Sequence, residues 1–244
     1  MIVSIHQPQY IPWAGYIYKI LMSDVFVLFD TVQYPMGKGF ANRNQIKTVN
    51  GPLLLTIPVG RRGEKLSFRE IPIADSMWRK KHWGTINNAY KSAPYFDLIV
   101  DDLKCLYERE WNNLVDFNEA ILVMCLDFMK ISTKIVRASS IDIDHTYESP
   151  LPYIISICKA LEGDEYLTGK GAGSLRYIEP EAFQKEGLKL CSYEFIGAQY
   201  KQIGSDFLPD LSILDMLFNH GSEARSIIEN SGELNRDPAI FNQG

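Results

Sequence analysis

The feature that most constrains this chain is a pair of short β-branched runs with helical sequence between them. Residues 2–5 (IVSI) and 25–29 (VFVLF) are brief, apolar and bounded by polar or proline residues, which predicts buried strands. Between them, residues 14–23 carry Ile17, Ile20 and Leu21 at helical spacing. Strand, short helix and strand in this order predict parallel pairing through a right-handed crossover, because a tight hairpin cannot join parallel strands. Further strand signals lie at 134–138, 165–169 and 188–195, and helical patterns at 76–92, 97–129 (with a junction near Trp111), 149–161 and 211–221. Asn50-Gly51 between two extended segments marks a hairpin. The expected fold is α/β: a Rossmann-like parallel sheet with flanking helices and an antiparallel hairpin insertion. One domain over 1–244 is expected, with the hairpin near 40–75, a helical region near 76–130 and a loosely ordered polar tail beyond Gly232.

Composition excludes several classes. With 46% hydrophobic and 23% charged residues the chain can bury enough apolar surface to offset its ordering entropy. A net charge of -5 argues against long-range attraction to nucleic acid or to an anionic membrane. No apolar run has the length of a membrane span, and the start lacks the basic region and long apolar stretch of a signal peptide. Cys105, Cys125, Cys158 and Cys191 are widely spaced with no CxxC pair, so free thiols, a cytoplasmic location and no zinc site are expected. No motif names a cofactor, and no metal-ligand pattern appears.

The chemistry-bearing residues fall where a parallel sheet would gather them. Ligands of open parallel sheets sit outside the carboxyl ends of the strands. The first strand runs into His6-Gln7, the second into Asp30 with Gln33-Tyr34 following, and a later one into Lys170 and its glycines. His6 can act as acid, base or anion-binding donor, or can simply brace a turn. Tyr10 and Trp13 can stack on a ring or pack beneath the helix, the latter being the expectation for Tyr16. Pro8 and Pro12 need only a structural role, fixing φ in a tight connection. Gly15 opens a helix whose N-terminus suits an anion, and Lys19 follows on that helix. In "ANRNQIKT", Asn42 and Asn44 share one face of an extended segment while Arg43 and Lys47 share the other. Asparagine is a poor strand former, so this pattern reads as more than a solvated hairpin. "TGKGAGSLRY", with Lys170, Ser174 and Arg176, resembles a phosphate-cradling loop without Walker A spacing. His82 sits among basic residues of a helix, where a solvated face is the commoner reading.

These segments resemble the WbqC-like protein family. The resemblance rests on "HQPQYIPWAGYIYKI" (6–20), "SDVFVLFDTVQY" (23–34), "NRNQIKT" (42–48) with "LTIPV" (55–59), and the later "YLTGKGAGSLRYI" and "LSILDMLFNHG". It implies bacterial gene clusters for surface-polysaccharide (O-antigen) synthesis and possible acyl or aminoacyl transfer to amino sugars. Phage relatives suggest a role on modified DNA bases. The opening is also similar in architecture to the HIGH-type nucleotidylyltransferases, but an aromatic in "WAGY" stands where their second histidine would be. That similarity bears on fold alone.

The expected function is therefore group transfer (aminoacyl, acyl or related) on a nucleotide-linked substrate. His6, Asp30 and Arg43 are the catalytic candidates. The substrate-binding candidates are Gln7, Tyr10, Trp13, Gly15, Lys19, Gln33, Tyr34, Asn42, Asn44, Lys47, His82, Lys170 and Ser174. The expected partner is a small molecule bearing phosphate or carboxylate, with no membrane partner and with nucleic acid disfavoured. A binding protein for a sugar nucleotide or amino acid, without chemistry, is the alternative; an amino-acid transferase acting on DNA bases is a third.

Overall fold

The computed structural model describes residues 1–35, 39–60, 65–147, 149–237 and 241. Its centre is a six-stranded sheet of β1 (Ile2–His6), β2 (Val25–Leu28), β5 (Lys134–Arg137), β6 (Glu165–Gly169), β7 (Lys189–Phe195) and β8 (Gly232–Asn235). Their order is β5-β2-β1-β6-β7-β8, and every pairing is parallel except β7 with β8. The expected α/β architecture with a parallel sheet is present. The tail differs from the sequence reading: residues 232–235 pair antiparallel with β7, from Ser192↔Asn235 to Phe195↔Gly232. Their polar composition suits an edge strand with a wet face, which composition alone does not separate from a loose tail.

Alternation along the strands assigns the two faces. In β2, Phe26 and Leu28 join the larger core while Val25 and Val27 join the smaller one, as period-two geometry requires. In β1, Val3 and Ile5 point to the smaller core. Ser4 and His6 therefore point to the opposite face, beneath α1 (Ala14–Leu21). There Ser23 Oγ donates to Ser4 Oγ at 2.6 Å, and the Tyr16 ring meets His6 edge-on at 5.0 Å.

The hairpin is a separate two-stranded sheet, β3 (Arg43–Thr48) with β4 (Gly51–Thr56), turning at Asn50-Gly51 where Gly51 takes φ 98°. The helical region follows as α2 (Met77–Tyr90), α3 (Phe96–Glu108) and α4 (Leu114–Phe128), with Trp111 in the break between the last two. Helix α5 (Pro150–Ala160) and α7 (Pro180–Lys185) carry core residues of the smaller cluster, and α6 (Ala172–Leu175) is a single turn after β6. Helices α8 (Ile213–His220) and α9 (Ala224–Glu229) belong to the larger core. The short α7 and α9 escaped the sequence reading, being too brief to show a helical period.

Candidate functional site

Strand order locates the crevice. From β1 the sheet continues to β2 on one side and to β6 on the other, and such a switch point is where open α/β sheets bind ligands. Backbone alternation shows how the crevice opens. The Met1 carbonyl accepts from Asp164 and Glu165 of the β6 side, and the His6 carbonyl accepts from Phe29 N–H of the β2 side. The Ile5 carbonyl therefore faces β6. The β1–β6 register ends at Ser4↔Leu167, whereas β1–β2 continues to His6↔Leu28. Continuing the β6 ladder would give the Ile5 carbonyl the Gly169 N–H. It receives Lys19 Nζ instead, at 2.8 Å.

Lys19 is 3% exposed, and no carboxylate pairs with it among the described residues. Burial without a counter-charge pushes its pKa down to about 7. His6 is its neighbour in the field of the sheet edge. Burial first, and the Lys19 charge second, lower the His6 pKa to about 4, so the imidazole is neutral near pH 7. His6 Nδ1 lies 3.0 Å from the Gln7 carbonyl, which can only accept; Nδ1 therefore carries the hydrogen and Nε2 keeps its lone pair. The same carbonyl accepts from Tyr16 Oη at 3.2 Å, which fixes the Gln7 peptide.

A cleft of about 620 Å³ opens on this point, lined by His6, Gln7, Pro8, Gln9, Trp13, Pro35, Gly39, Phe40, Ala41 and Asp210. Two backbone positions in and beside it carry side chains at positive φ: Asp210 at 55° and Ile11 at 36°. Ile11 is β-branched and precedes a proline, so this conformation is costly, on the order of 1–3 kcal/mol. Asn44 helps hold it, donating from Nδ2 to the Ile11 carbonyl at 2.7 Å. Gln9 is 8% exposed, and its Oε1 has no hydrogen-bond partner among the described residues. The cleft thus presents an imidazole lone pair and the Asp210 side chain, both acceptors, while the unpartnered Gln9 Oε1 is enclosed in its wall. It suits a hydroxyl or amino group better than an anion. Gln9 was not among the candidates from sequence; a glutamine between prolines and aromatics carries no pattern that separates a cleft residue from a packed one.

The remaining candidates sort by what their polar atoms touch. Asp30 is fully buried at the end of β2, and its carboxylate accepts from Ser139 N–H at 2.9 Å and Ser139 Oγ at 2.5 Å, tying β2 to the end of β5. Asn42 donates to the Ile57 carbonyl at 2.7 Å. Lys47 donates to Gln202 Oε1 at 3.2 Å and to the Asp206 carbonyl. Arg43 is half-buried with Nε unpartnered among the described residues, and it lines neither the cleft nor the smaller pocket beside it. Tyr10 is fully buried, its hydroxyl shared between Tyr107 Oη at 2.6 Å and His82 Nδ1 at 2.9 Å. His82 is 4% exposed, edge-on to Trp78, with its pKa lowered to about 4 mainly by burial. Tyr34 packs edge-on to Phe68 at 5.3 Å, and Gln33 is exposed, bridging to Ser67. Lys170 pairs with Glu194 at 2.8 Å, and Ser174 N–H donates to the Gly171 carbonyl. The structure brings together His6, Gln7 and Trp13 in the cleft, with Lys19 behind; it does not bring Arg43, Lys47 or Lys170 into it.

Gly15 serves Trp13. A Cβ on Gly15 would stand 2.3 Å from the indole, so the glycine lets the ring lie over the start of α1. That ring meets Phe195 edge-on at 5.6 Å and separates the His6 cleft from a pocket beyond it. No group of His, Cys, Asp and Glu that could hold a metal ion occurs among the described residues. Nor is any described helix long and apolar enough to cross a membrane.

Comparison with known proteins agrees with this reading of the chain's ancestry. A model of the WbqC-like protein family matches residues 7–227. The chain belongs to that family. It is also similar to the uncharacterized protein Rv1507c of Mycobacterium tuberculosis, with 34% identity over 225 residues, 91% of this chain and 95% of that protein. The matched family region begins at Gln7 and so takes in most of the cleft wall.

Proposed function

We propose that this protein is a group-transfer enzyme that moves an aminoacyl, acyl or related group in a reaction with a nucleotide-linked substrate. Its setting would be the cytoplasm of a bacterium building surface polysaccharide (O-antigen). The observation that carries the reading is the His6 ring: Nδ1–H committed to the Gln7 carbonyl and Nε2 free at the cleft. In this reading Nε2 takes the proton from a hydroxyl or amino nucleophile as it attacks the donor carbonyl, and the imidazolium returns that proton to the donor's leaving group as the bond between that group and the carbonyl breaks. Burial, and after it the charge of Lys19 behind the ring, holds the imidazole neutral before reaction. An anionic donor would offset that charge and raise the basicity of His6 as it binds. The four free cysteines support a reducing compartment.

The test is product formation, followed by mass spectrometry, with acyl and aminoacyl donors offered alongside amino-sugar nucleotides. His6→Gln should lower turnover by roughly a hundredfold or more, within the usual range for a lost general base, with melting temperature little changed. Unchanged turnover in His6→Gln would remove His6 from the chemistry. Binding of the same substrates without any product would support a binding protein instead.

A further inference from the structure

The second strand of the hairpin has an edge that the fold does not pair. Ile57 N–H donates to the Asn42 carbonyl at 2.8 Å, so alternation bonds Asn44 and Ile46 of β3 to Leu55 and Leu53 of β4. The backbone groups of Pro52, Leu54 and Thr56 therefore point away from β3. The outer edge of β3 is occupied: the Gln45 carbonyl accepts from Ser212 N–H at 2.9 Å, and Lys47 N–H donates to Tyr90 Oη at 3.0 Å. No strand lies beyond β4, and among the described residues no backbone group bonds to Leu54 from that side. Pro52, which has no N–H, stands where an edge strand tolerates proline.

The open edge faces a helix. The His82 ring of α2, bonded through Nδ1 to Tyr10 Oη at 2.9 Å, also bonds to the Thr56 backbone. Strand and helix enclose a trough of about 630 Å³ that shares no residue with the His6 cleft. Leu53, Leu54 and Met77 line it and remain open to water, Met77 at 64%. An exposed apolar edge is a template for another strand, and folds usually blunt it with charge on the edge itself or with a covering segment. Here the charge stands across the trough. Lys80 and Lys81 line the helix wall, both exposed and paired with no carboxylate among the described residues. The one acid in the lining, Asp75, is turned to the start of its own helix, where it accepts from Met77 N–H at 2.9 Å. A chain of net charge -5 thus carries a locally positive trough.

These features choose among occupants. An extended peptide supplies the carbonyl and N–H that Leu54 lacks, and acidic side chains on it would meet the two lysines. A second copy entering by its own hairpin fails on charge: residues 41–60 hold no Asp or Glu, so that hairpin brings no partner for Lys80 and Lys81. A bilayer would cover the leucines, but hydrocarbon offers the Leu54 N–H and carbonyl nothing to bond.

We propose that the trough between β4 and α2 docks an extended segment of a partner protein, alternating apolar and acidic residues. The segment adds as a third strand on Leu54, with its carboxylates against Lys80 and Lys81. This interaction is separate from the group-transfer reading and does not depend on it.

The probe is an end-capped pentapeptide alternating valine and glutamate, titrated against the intact chain by calorimetry and NMR. The same peptide N-methylated throughout, or with lysine for glutamate, should bind about tenfold more weakly or worse. Leu54→Pro removes the outward N–H without touching the β3 ladder and should weaken binding by about tenfold. Lys80→Glu combined with Lys81→Glu should weaken it about two- to twentyfold and transfer the preference to the lysine peptide. Both lysines are exposed, so this double variant keeps the fold, and circular dichroism accompanies Leu54→Pro. Phosphatidylglycerol vesicles and gel filtration over a concentration series test the other occupants. No binding of the valine–glutamate peptide, equal binding of its N-methylated form, or an unchanged charge preference in the double variant would each overturn the proposal. So would tighter binding to the vesicles than to the peptide, or a dimer that Leu54→Pro dissociates.

Discussion

Two polar regions of this molecule look alike in sequence and differ in what their polar atoms do. The hairpin β3–β4 and the connection from His6 to Trp13 both mix amides, charges and aromatics. In the hairpin the partners are internal. Asn42, Asn44 and Lys47 are all bonded within the chain, and the Lys47 N–H donates to Tyr90 Oη at 3.0 Å. Tyr90 in turn donates to the fully buried Asp215, whose other oxygen accepts from Tyr200. In the His6–Trp13 connection, Gln9 Oε1 has no partner among the described residues and the His6 Nε2 lone pair faces a cleft. Polar groups that satisfy one another build architecture; polar groups left over build a site.

The largest effect should come from breaking the internal network. Asp215→Ala removes the acceptor shared by the buried Tyr90 and the half-buried Tyr200 hydroxyls, leaving both without the group they donate to. A loss of about 3–5 kcal/mol is expected, with no variant-specific change at the His6 cleft. Denaturant titration measures it, and a loss below about 1 kcal/mol would erase the contrast drawn here.

An intermediate effect, with a pH signature, is expected for Lys19→Met. Between the folded pKa of about 7 and the ordinary value of 10.5, the unfolded chain holds a proton on this amine that the folded chain has released. Stability of the parent therefore rises with pH through that window, and the cost of burying the charge is fully present below pH 7. The methionine variant should gain most over the parent near pH 6 and lose that advantage progressively toward pH 10. The orphaned Ile5 carbonyl subtracts a constant amount, about 1–3 kcal/mol. Equal stability differences at pH 6 and pH 10 would mean that Lys19 is not held in an unpaired, buried state.

The smallest effect belongs to Gln9→Met. Replacing an unsatisfied buried amide with an apolar side chain of similar length should be neutral or stabilising by under about 1 kcal/mol in denaturant titration. A substantial loss of stability would show that Gln9 belongs with the hairpin amides after all.

The sheet was readable from the sequence because its strands carry β-branched runs bounded by punctuating residues, and Asn50-Gly51 announced the hairpin by itself. Strand β8 was not readable, since Gly232–Asn235 owes its conformation to the neighbouring edge of β7. Within the site, His6, Gln7 and Trp13 could be picked out because they follow a strand that ends at a crevice. Asn42, Asn44, Lys47 and Asp30 read as site residues too, because sequence shows that a group is polar but not whether a carbonyl or hydroxyl waits within reach. Gln9 was invisible for the opposite reason: it is an ordinary residue whose interest lies in a partner it lacks.

The Lys19 ammonium, seated on the Ile5 carbonyl, also acts as a wedge. It stands where the next β6 amide would donate, and the β1–β6 ladder stops at Ser4↔Leu167, so the mouth of the sheet is open before any ligand arrives. A guest entering there has no strand bonds to break and little backbone to rearrange, which spares it the ordering cost that flexible sites impose. Recognition at this edge should accordingly behave as a single-step encounter with a standing cavity, its rate set by access past Trp13 rather than by an opening of the fold.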